Sequence, residues 1–365
     1  MKKKILVLSN NCSGLVCFRK EVFESLIDDN DIITISAPSD ESSSILIKMG
    51  CMILPTAFKR HGTNPFADLI LMLRYYHIIR KLRPDVVLTY TIKPNLYGGM
   101  ACRLSHTPQI ANITGLGIAT EESGILRTIT SVLYKIGLKK AKKVFFQNQE
   151  NLDFCERHQL VKAPTALIPG SGVNLSRFNL LPYPQEEDTS RFIFISRIQR
   201  RKGIEQYLDA AKVIKSKYPN TEFHILGSCE NNKYISKLNT LSKEGIINYH
   251  GSVSDIRPFL SYTHCTVHPS FYPEGMSNVL LESCASGRPV ITTDRSGCKE
   301  IVDEGKNGFI VRQQNTYDLI EAIERFILLP YQEKIGMGLY ARQKMEKEFS
   351  RQIVIQAYKD EIDKI

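Results

Sequence analysis

The sequence predicts an α/β protein made of two domains, each built on a parallel sheet. The chain has 365 residues, which is more than one ordinary core accommodates and suits two domains. Short apolar runs alternate with helical stretches through both halves, which is typical of βαβ units. In the second half, two of these runs lead into polar loops that open helices. Ligands bind at such loops in parallel sheets.

The first half contains seven predicted strands and begins with a strand, a turn and a helix. The turn at 10–14 precedes a predicted helix at 17–28. A dinucleotide site would need G-x-G-x-x-G here, and only Gly14 is present, which argues against a nicotinamide dehydrogenase. Gly14 is kept as a candidate nucleotide-sugar contact. The predicted strands are 4–9, 32–37, 51–54, 86–90, 109–112, 144–147 and 165–168.

The second half repeats the alternation with six predicted strands and a helical tail. Gly227 directly follows one strand, where a residue without a side chain lets a nucleotide approach the backbone. Ser254 and Asp255 are expected to cap a short helix that ends near Leu260. The tail, 340–365, is predicted to be helical. The predicted strands are 192–196, 222–226, 247–249, 265–268, 289–292 and 309–311.

Composition excludes several classes of protein. Hydrophobic residues make up 42% of the chain, as in globular proteins, and no apolar run approaches the ~20 residues of a membrane span. Nine cysteines without a C-x-x-C pair argue for a reducing compartment, with the cytoplasm as the default. Residues 1–170 carry a net charge of +8 and residues 171–365 only +2. This basic first half suits anionic lipid or an acidic substrate, and no nucleic-acid motif accompanies it.

The stretch 269–291 joins a short strand to a helix that Ser277 can cap and Gly287 can end. The start of a helix offers backbone N–H groups to an anion such as a diphosphate. Glu274 lies in the loop and Glu282 lies on the helix, where carboxylates would suit hydroxyl groups. Taken alone, both are more simply interpreted as ordinary surface carboxylates.

A second loop, after the strand at 192–196, carries Arg197 and Lys202, and Gly203 opens the helix that follows. Arginine offers a planar fork and lysine a point charge, and a diphosphate can use both. The pair is a weak signal by itself.

Together, Arg197 and Lys202-Gly203 with Glu274-Gly275 and Glu282 closely resemble the retaining family 4 glycosyltransferases. The resemblance covers nearly the whole chain. It implies a GT-B fold with two Rossmann-like domains facing a central cleft: 1–170 for the acceptor, 171–345 for the nucleotide sugar, and a helix at 346–365 that returns to the first domain.

The resemblance also implies roles for individual residues. Arg197 and Lys202 would stabilise the leaving diphosphate, Glu274 would contact the donor sugar and Glu282 the ribose. No metal and no cofactor would be required, because these cations replace a divalent ion. The remaining nucleotide-sugar contacts would be Gly14, Gly227, Ser254, Met276, Ser277 and Asn278.

Two loops of the first half resemble the branch that extends undecaprenyl-diphosphate sugars with N-acetylhexosamine. These loops are 89–95 and 112–117. Many members have a histidine in the loop that corresponds to 112–117, and it contacts the donor sugar. Here the sequence reads Asn112-Ile-Thr114-Gly115, so Asn112 or Thr114 substitutes, or the contact is absent. The candidate acceptor or donor-sugar residues are Lys93, Asn95, Asn112, Thr114 and Gly115.

Two basic amphipathic helices are predicted in the first half, at 68–83 and 125–143. Such helices bind anionic membrane surfaces, although each could equally pack on its sheet with solvated lysines outside. The candidate membrane-facing residues are Lys139, Lys140, Lys142 and Lys143. The triplet Asp29-Asn-Asp31 is more typical of a turn than of a metal site.

The sequence therefore predicts a metal-independent retaining hexosyltransferase. It would move a hexose or N-acetylhexosamine, most simply GalNAc or GlcNAc, from a UDP-sugar to an undecaprenyl-diphosphate-linked saccharide at the inner face of the cell membrane. A UDP-sugar 2-epimerase of the same architecture and a non-enzymatic sugar-nucleotide binding protein remain alternatives.

Overall fold

A computed structural model describes residues 2–29, 31–58, 64–116, 124–186 and 189–365. Within these ranges the strands match the predicted ones to within two residues at every end. They are β1 (Lys4–Leu8), β2 (Ile32–Ala37), β3 (Met52–Pro55), β4 (Val86–Tyr90), β5 (Gln109–Ile113), β6 (Lys143–Phe146), β7 (Thr165–Leu167), β8 (Ser190–Ile195), β9 (Thr221–Leu226), β10 (Asn248–Tyr249), β11 (Cys265–His268), β12 (Val290–Thr293) and β13 (Gly308–Val311).

The α-helices of the described residues connect these strands. They are α1 (Cys12–Asp28), α2 (Ser43–Lys48), α3 (Pro65–Leu82), α4 (Gly99–Ser105), α5 (Ile125–Gly137), α6 (Gln149–Arg157), α7 (Ile204–Lys217), α8 (Asn232–Lys243), α9 (Arg257–Tyr262), α10 (Asn278–Ala285), α11 (Thr316–Leu328), α12 (Tyr331–Glu348) and α13 (Arg351–Asp363). None of the described helices is both long enough and apolar enough to span a bilayer.

The chain folds into two compact units. The first unit contains Met1–Gly172, Pro273–Met276 and Arg351–Ile365, and the second contains Val173–Tyr272 and Ser277–Ser350. The main breaks between the units, after residues 172 and 350, lie within a few residues of the predicted domain ends at 170 and 345. The packing of residues 273–276 with the first unit was not predicted from the sequence.

The first unit is built on a seven-stranded parallel sheet with strand order β3-β2-β1-β4-β5-β6-β7. Apolar side chains on both faces of the central strands explain their near-continuous hydrophobic sequences. One face packs against α1 and α13, where Phe23, Val354 and Tyr358 are buried. The other face packs against α3, α4 and α5. Helix α13, near the C-terminal end of the sequence, thus packs in the core of the first unit.

The second unit has a six-stranded parallel sheet in the order β10-β9-β8-β11-β12-β13. Its main core packs α7 and α11 against the sheet around Phe192, Tyr207 and Phe326. The prediction of two α/β parallel-sheet domains is confirmed.

Four helix predictions require correction. Helix α1 begins at Cys12, more than a turn earlier than predicted, because the Asn11 side chain caps it by accepting a hydrogen bond from Gly14 N–H at 2.7 Å. Ser254 does not cap α9; instead Asp255 accepts a hydrogen bond from Arg257 N–H at 3.0 Å. The tail is broken between α12 and α13, at the residues where the chain leaves the second unit.

The fourth correction concerns the predicted helix at 125–143, which ends at Gly137. Gly137 lies against the backbone of Leu96, and residues from Lys143 onward pair with β5. The predicted lysine cluster therefore follows the helix, in the connection to β6 and at the start of that strand.

Candidate active site

The loop after β8 carries the two cations predicted to meet a diphosphate. Arg197 is exposed, whereas Lys202 is only 9% exposed and lies in a single 3-10 turn. Gly203 follows with a φ of 79°. A Cβ at Gly203 would collide with the carbonyl oxygen of Pro269, so glycine is required for this loop to contact the loop after β11. The loop after β8 and the loop after β11 are thus in direct contact.

Lys202 lies in surroundings that disfavour its charge. Burial lowers the pKa of Lys202 to about 8, and the charge of Arg197 acts in the same direction, while Cys298 opposes it. Its ammonium nitrogen lies 4.8 Å from the centre of the Tyr272 ring. An anion bound beside Lys202 would favour the charged form and raise this pKa again. The site therefore suits a ligand of high negative charge.

His268 is a second buried group near Lys202. Burial lowers the pKa of His268 to about 3, and the charge of Lys202 contributes to the shift. Neither ring nitrogen has a hydrogen-bond partner among the described residues. His268 is therefore neutral at physiological pH and adds no competing charge beneath the loop.

Gly227 joins three loops at the carboxyl edge of the second sheet. Its φ is 150°, and a Cβ there would collide with the carbonyl oxygen of Ser196. Its N–H donates to Gly251 O at 2.7 Å, and its carbonyl accepts a hydrogen bond from the Tyr249 hydroxyl at 3.0 Å. The glycine is thus needed for packing inside the protein, and its predicted contact with the nucleotide remains a prediction.

A cavity of about 530 Å³ opens beside Arg197 at the carboxyl ends of β8 and β9. Its volume is within the range of small-molecule sites. Its lining combines Ile198 with polar side chains, which are Arg197, Gln199, Arg200, Ser228, Glu230, Asn231 and Tyr234.

The start of α10 is only partly as predicted. Ser277 occupies the capping position, but its side chain makes no capping hydrogen bond, and its N–H donates to Gly297 O at 2.7 Å. The Ser277 amide is therefore already engaged. Asn278 begins the helix and Glu282 is half-buried one turn later. Ser254 is exposed on the loop after β10.

Glu274 and Met276 belong to the segment 273–276, which packs on the first unit. Glycines at the ends of two strands of the first sheet make close contact with it. Gly115, after β5, lies under Pro273 O with a φ of 139°, and Gly170, after β7, packs against the Met276 side chain. The backbone that carries Glu274 is thus held by loops of the first unit.

Two consecutive side chains after β6 complete this contact. The Asn148 side-chain amide donates to Glu274 O at 3.1 Å and to Gly275 O at 2.6 Å. A Cβ at Gly275 would collide with Gln147 Oε1 and lie 2.6 Å from Thr114 O. Gly275 is therefore required by close packing on both sides.

The loop after β4 has two conformational irregularities. Thr91 has a φ of 71°, which is uncommon for a β-branched residue, and a π-helical turn spans Pro94–Gly98. Such features concentrate at functional sites. Lys93 in this loop donates to Asp68 at 2.7 Å, and the Tyr97 hydroxyl donates to the other carboxylate oxygen at 2.8 Å. The predicted acceptor loop thus presents a fixed, mostly buried ion pair.

The side chains of Asn95 and Asn112 are engaged inside the first unit, and their predicted place in the acceptor or donor-sugar loops stays a prediction. Asn95 accepts a hydrogen bond from Thr89 and donates to Asn112 O. Asn112 is fully buried, donates to the Tyr358 hydroxyl at 2.8 Å and accepts from Gln147 at 3.1 Å. Its polar side-chain atoms already have partners within the protein, whereas Thr114 is only half-buried.

Gly14 lies in the first turn of α1, where other groups already engage the backbone amides. Asn11 accepts from Gly14 N–H, and Asp40 accepts from the N–H groups of Cys12 and Ser13 at 2.9 Å. Burial raises the pKa of Asp40, but these hydrogen bonds outweigh it and leave the pKa below the ordinary value. The charged Asp40 therefore occupies the anion position at this helix start.

The surface near α5 combines exposed apolar and basic side chains. Ile129, Val132 and Ile136 are exposed along one stripe of the helix. Lys139, Lys140 and Lys142 follow and are exposed. Lys143 differs, because it is half-buried and its ammonium lies 3.6 Å from Glu361 of α13. The prediction that Lys143 faces a membrane is corrected on this ground.

Among the described residues there is no group of three or more His, Cys, Asp or Glu side chains placed to hold a metal ion. In the Asp29–Asp31 triplet, Asp29 pairs with Lys359 at 2.7 Å and Asp31 accepts from Lys3 N–H at 2.9 Å. Residue 30 lies outside the described ranges.

Sequence reasoning missed three residues of this site: Asp68, Asn148 and Tyr358. Asp68 stands in the first turn of a helix and Tyr358 in the C-terminal tail, far along the chain from Lys93 and Asn112. Asn148 had a detectable signal, since it follows a predicted strand and lies at the start of a helical stretch, where asparagine is a preferred cap. Its Oδ1 does accept from Asn151 N–H at 2.9 Å.

The chain matches two families of known proteins. Residues 4–148 match the family described as glycosyl transferase 4-like, and residues 182–344 match glycosyl transferases group 1. One similar protein is the N,N'-diacetylbacillosaminyl-diphospho-undecaprenol alpha-1,3-N-acetylgalactosaminyltransferase of Campylobacter jejuni, 26% identical with 99% of both chains covered. Another is the UDP-Gal:alpha-D-GlcNAc-diphosphoundecaprenol alpha-1,3-galactosyltransferase of Escherichia coli, 22% identical over 71% of this chain and 70% of that one.

Solved structures share the fold. A glycosyltransferase from Rickettsia africae superposes with a TM-score of 0.82 at 20% identity, covering 100% of this chain and 98% of that one. HepE from Anabaena, in complex with UDP and glucose, superposes with a TM-score of 0.80 at 16% identity over the full length of both chains. These likenesses identify the fold as GT-B.

Proposed function

Since the chain is a two-domain glycosyltransferase of the 4-like and group 1 families, we propose that it is a metal-independent retaining enzyme. Its donor is a UDP-sugar carrying a hexose or N-acetylhexosamine, with GalNAc or GlcNAc as the first candidates. Its acceptor is a saccharide linked to undecaprenyl diphosphate. Full-length similarity to the Campylobacter jejuni transferase supports both the donor and the acceptor.

The observation that carries the proposal is the buried lysine of the β8 loop. Lys202 has a pKa of about 8 and lies in the same loop as the exposed Arg197. Two cations on one loop can bind a diphosphate together, because arginine offers a planar fork and lysine a point charge. When the sugar departs, negative charge accumulates on the β-phosphate. Preformed cations directed at such charge are commonly the largest single catalytic contribution.

In the proposed reaction an acceptor hydroxyl forms a bond to the anomeric carbon on the face from which the diphosphate leaves. The bond between that carbon and the β-phosphate oxygen breaks, and its electron pair stays with the phosphate. The hydroxyl proton passes to the same departing oxygen. Arg197 and Lys202 stabilise this oxygen's charge, and the anomeric configuration is retained.

The two glutamates have separate roles in this proposal. Glu282, on α10, binds the ribose hydroxyls, and Glu274 binds hydroxyls of the transferred sugar. Retaining hydrolases use two carboxylates about 5 Å apart on either side of one carbon. Glu274 and Glu282 lie at opposite ends of the donor by resemblance, so a hydrolase mechanism does not fit this assignment.

A lipid-linked acceptor requires access to a membrane surface, and we assign this access to α5 and the lysines after it. Exposed Ile129, Val132 and Ile136 would enter the headgroup region, and Lys139, Lys140 and Lys142 would meet anionic lipid. The enzyme would then act as a peripheral protein at the inner face of the cell membrane.

The test is product analysis with a panel of UDP-sugars and synthetic polyprenyl-diphosphate saccharides. Mass spectrometry should find the acceptor heavier by one hexose or N-acetylhexosamine, with release of UDP. Isomerised donor without acceptor would indicate an epimerase, and tight donor binding without any turnover would indicate a binding protein. Either result would overturn the proposal.

A further inference from the structure

We propose that Asn148 is a positioning residue for Glu274. The inference rests on the proposed function, in which the Glu274 carboxylate contacts the transferred sugar. Asn148 itself touches no substrate in this proposal. It acts by fixing the backbone from which Glu274 projects.

The first observation is the pair of hydrogen bonds that Asn148 donates. Both N–H groups of its amide are directed at the same short segment, at 3.1 Å to Glu274 O and 2.6 Å to Gly275 O. Asn148 is buried, and the bond to Gly275 is fully buried. A buried carbonyl that loses its donor is destabilised, so these bonds favour one position of the segment. The segment is therefore held in one place.

The second observation is that close packing leaves the segment little freedom. Gly275 lies against Gln147 and Thr114, Gly115 lies under Pro273, and Gly170 lies against Met276. These contacts come from the ends of β5, β6 and β7. Without the Asn148 amide, the segment would lose two hydrogen bonds that close packing does not replace.

The third observation is that the residues on both sides of the segment, Tyr272 and Ser277, belong to the second unit. The segment is not part of a helix or strand that would fix its position. Its conformation depends on what it packs against, and Asn148 contributes the directional part of that packing. Displacement of a catalytic group by about 1 Å can cost about 100-fold in rate.

The two ends of the Asn148 side-chain amide make different contacts, and one substitution can separate them. Its Oδ1 caps α6 by accepting from Asn151 N–H, while its Nδ2 holds the Glu274 segment. Asn148→Asp keeps the shape and the cap, since carboxylates are good caps. It also replaces the amide donor with an oxygen that faces two carbonyl oxygens. Folding should be preserved while the segment is pushed away.

We expect Asn148→Asp to lower kcat for sugar transfer about 100-fold while leaving the Kd for free UDP within about twofold. Circular dichroism and the unfolding midpoint establish that the variant is folded. Asn64→Asp is the matched control. Asn64 caps α3 of the same unit through bonds to Phe66 and Ala67 N–H, so this change alters a cap without touching the segment.

A double-mutant cycle separates positioning from a general structural effect. If Asn148 acts through Glu274, Asn148→Asp should reduce kcat by less than about threefold further once Glu274 is alanine. Full additivity of the two losses would overturn the inference, as would a folded Asn148→Asp variant with wild-type kcat. Should Asn148→Asp fail to fold, Asn148→Gln, with a longer amide, should lose kcat in the same non-additive way.

These outcomes differ from failure of the proposed function. If wild-type protein transfers no sugar from any UDP-sugar, the proposed function fails. If wild-type protein transfers sugar and Asn148→Asp does so equally well, only the positioning inference fails.

Discussion

The ammonium of Lys202 lies 4.8 Å from the centre of the Tyr272 ring, so a lysine of the β8 loop contacts the loop after β11. Both loops therefore converge on one point of the second unit. The proposed role of that point is to hold the diphosphate of the donor.

Replacing either cation should slow catalysis. We expect Arg197→Ala and Lys202→Ala each to lower kcat about 100-fold or more, the scale seen when one group that stabilises a developing anion is lost. Lys212→Ala, at an exposed position on α7, is the control. Unchanged kcat in either folded variant would show that its charge does not act on the leaving group.

Nucleotide binding should weaken as pH rises from 7 to 9. Lys202 has a pKa of about 8, so it is mainly charged below that pH and mainly neutral above it. Its charged fraction falls about tenfold over this range, while the diphosphate stays ionised because phosphate groups lose their second proton near pH 6. We therefore expect the Kd of UDP, measured by calorimetry, to rise up to about tenfold.

The control for this pH dependence is Lys202→Arg, whose side chain stays charged throughout. Its Kd should be flat between pH 7 and 9. A wild-type Kd that is equally flat would refute the assignment of the dependence to Lys202.

The two glutamates should separate in a binding experiment. Glu282→Ala should weaken binding of free UDP about tenfold, the loss expected when a charged acceptor no longer meets the ribose hydroxyls. Glu274→Ala should leave UDP binding nearly intact and reduce sugar transfer. Calorimetry with UDP alone decides between them, and equal weakening in both variants would contradict the roles assigned.

Much of the fold was predictable because buried parallel strands are short apolar runs between polar loops. The strand ends that carry Arg197 and Glu274 were placed correctly for this reason. The buried environment of Asn112 could not be predicted in this way. Its partner, Tyr358, lies 246 residues away, and nothing near Asn112 in the sequence reveals that α13 covers it.

The lysine cluster shows a similar limit. A helical pattern continues from Ile125 towards Lys143, but the helix ends at Gly137, against the backbone of Leu96, and Lys143 pairs with β5. Both contacts are tertiary effects. The docking of residues 273–276 on the first unit is likewise tertiary. A glycine at position 275 is compatible with close packing there, but it does not identify the segment that packs against it.

Membrane binding should depend on the three exposed lysines after α5. Near an anionic surface each contributes about 1 kcal/mol, so together they should change partition about 100-fold. Replacing Lys139, Lys140 and Lys142 with glutamine should reduce sedimentation with anionic vesicles, and salt should release the wild type. Lys143→Gln alone should have little effect, because Lys143 pairs with Glu361.

The matched control changes three exposed lysines of the second unit, Lys212, Lys233 and Lys243, to glutamine. This variant has the same net charge and should sediment as the wild type does. If both triple variants lost vesicle binding equally, the effect would depend on net charge and not on the position of the lysines. If the wild type bound neutral vesicles as well as anionic ones, these lysines would have no electrostatic role in binding.

Turnover should also persist in excess EDTA, since Arg197 and Lys202 take the place of a divalent ion in the proposed mechanism. The rate of UDP release is measured before and after chelation. Loss of activity that Mg²⁺ or Mn²⁺ restores would require a metal in the reaction.

The central claim is transfer of a sugar from UDP to a lipid-linked saccharide with retention of configuration. The most direct test follows the reaction by proton NMR with an α-linked UDP-N-acetylhexosamine and a short-chain polyprenyl-diphosphate acceptor. The account predicts that the donor anomeric signal is replaced by that of a new α-glycosidic linkage as UDP accumulates. A β-linked product, or donor consumption without a new linkage, would contradict it.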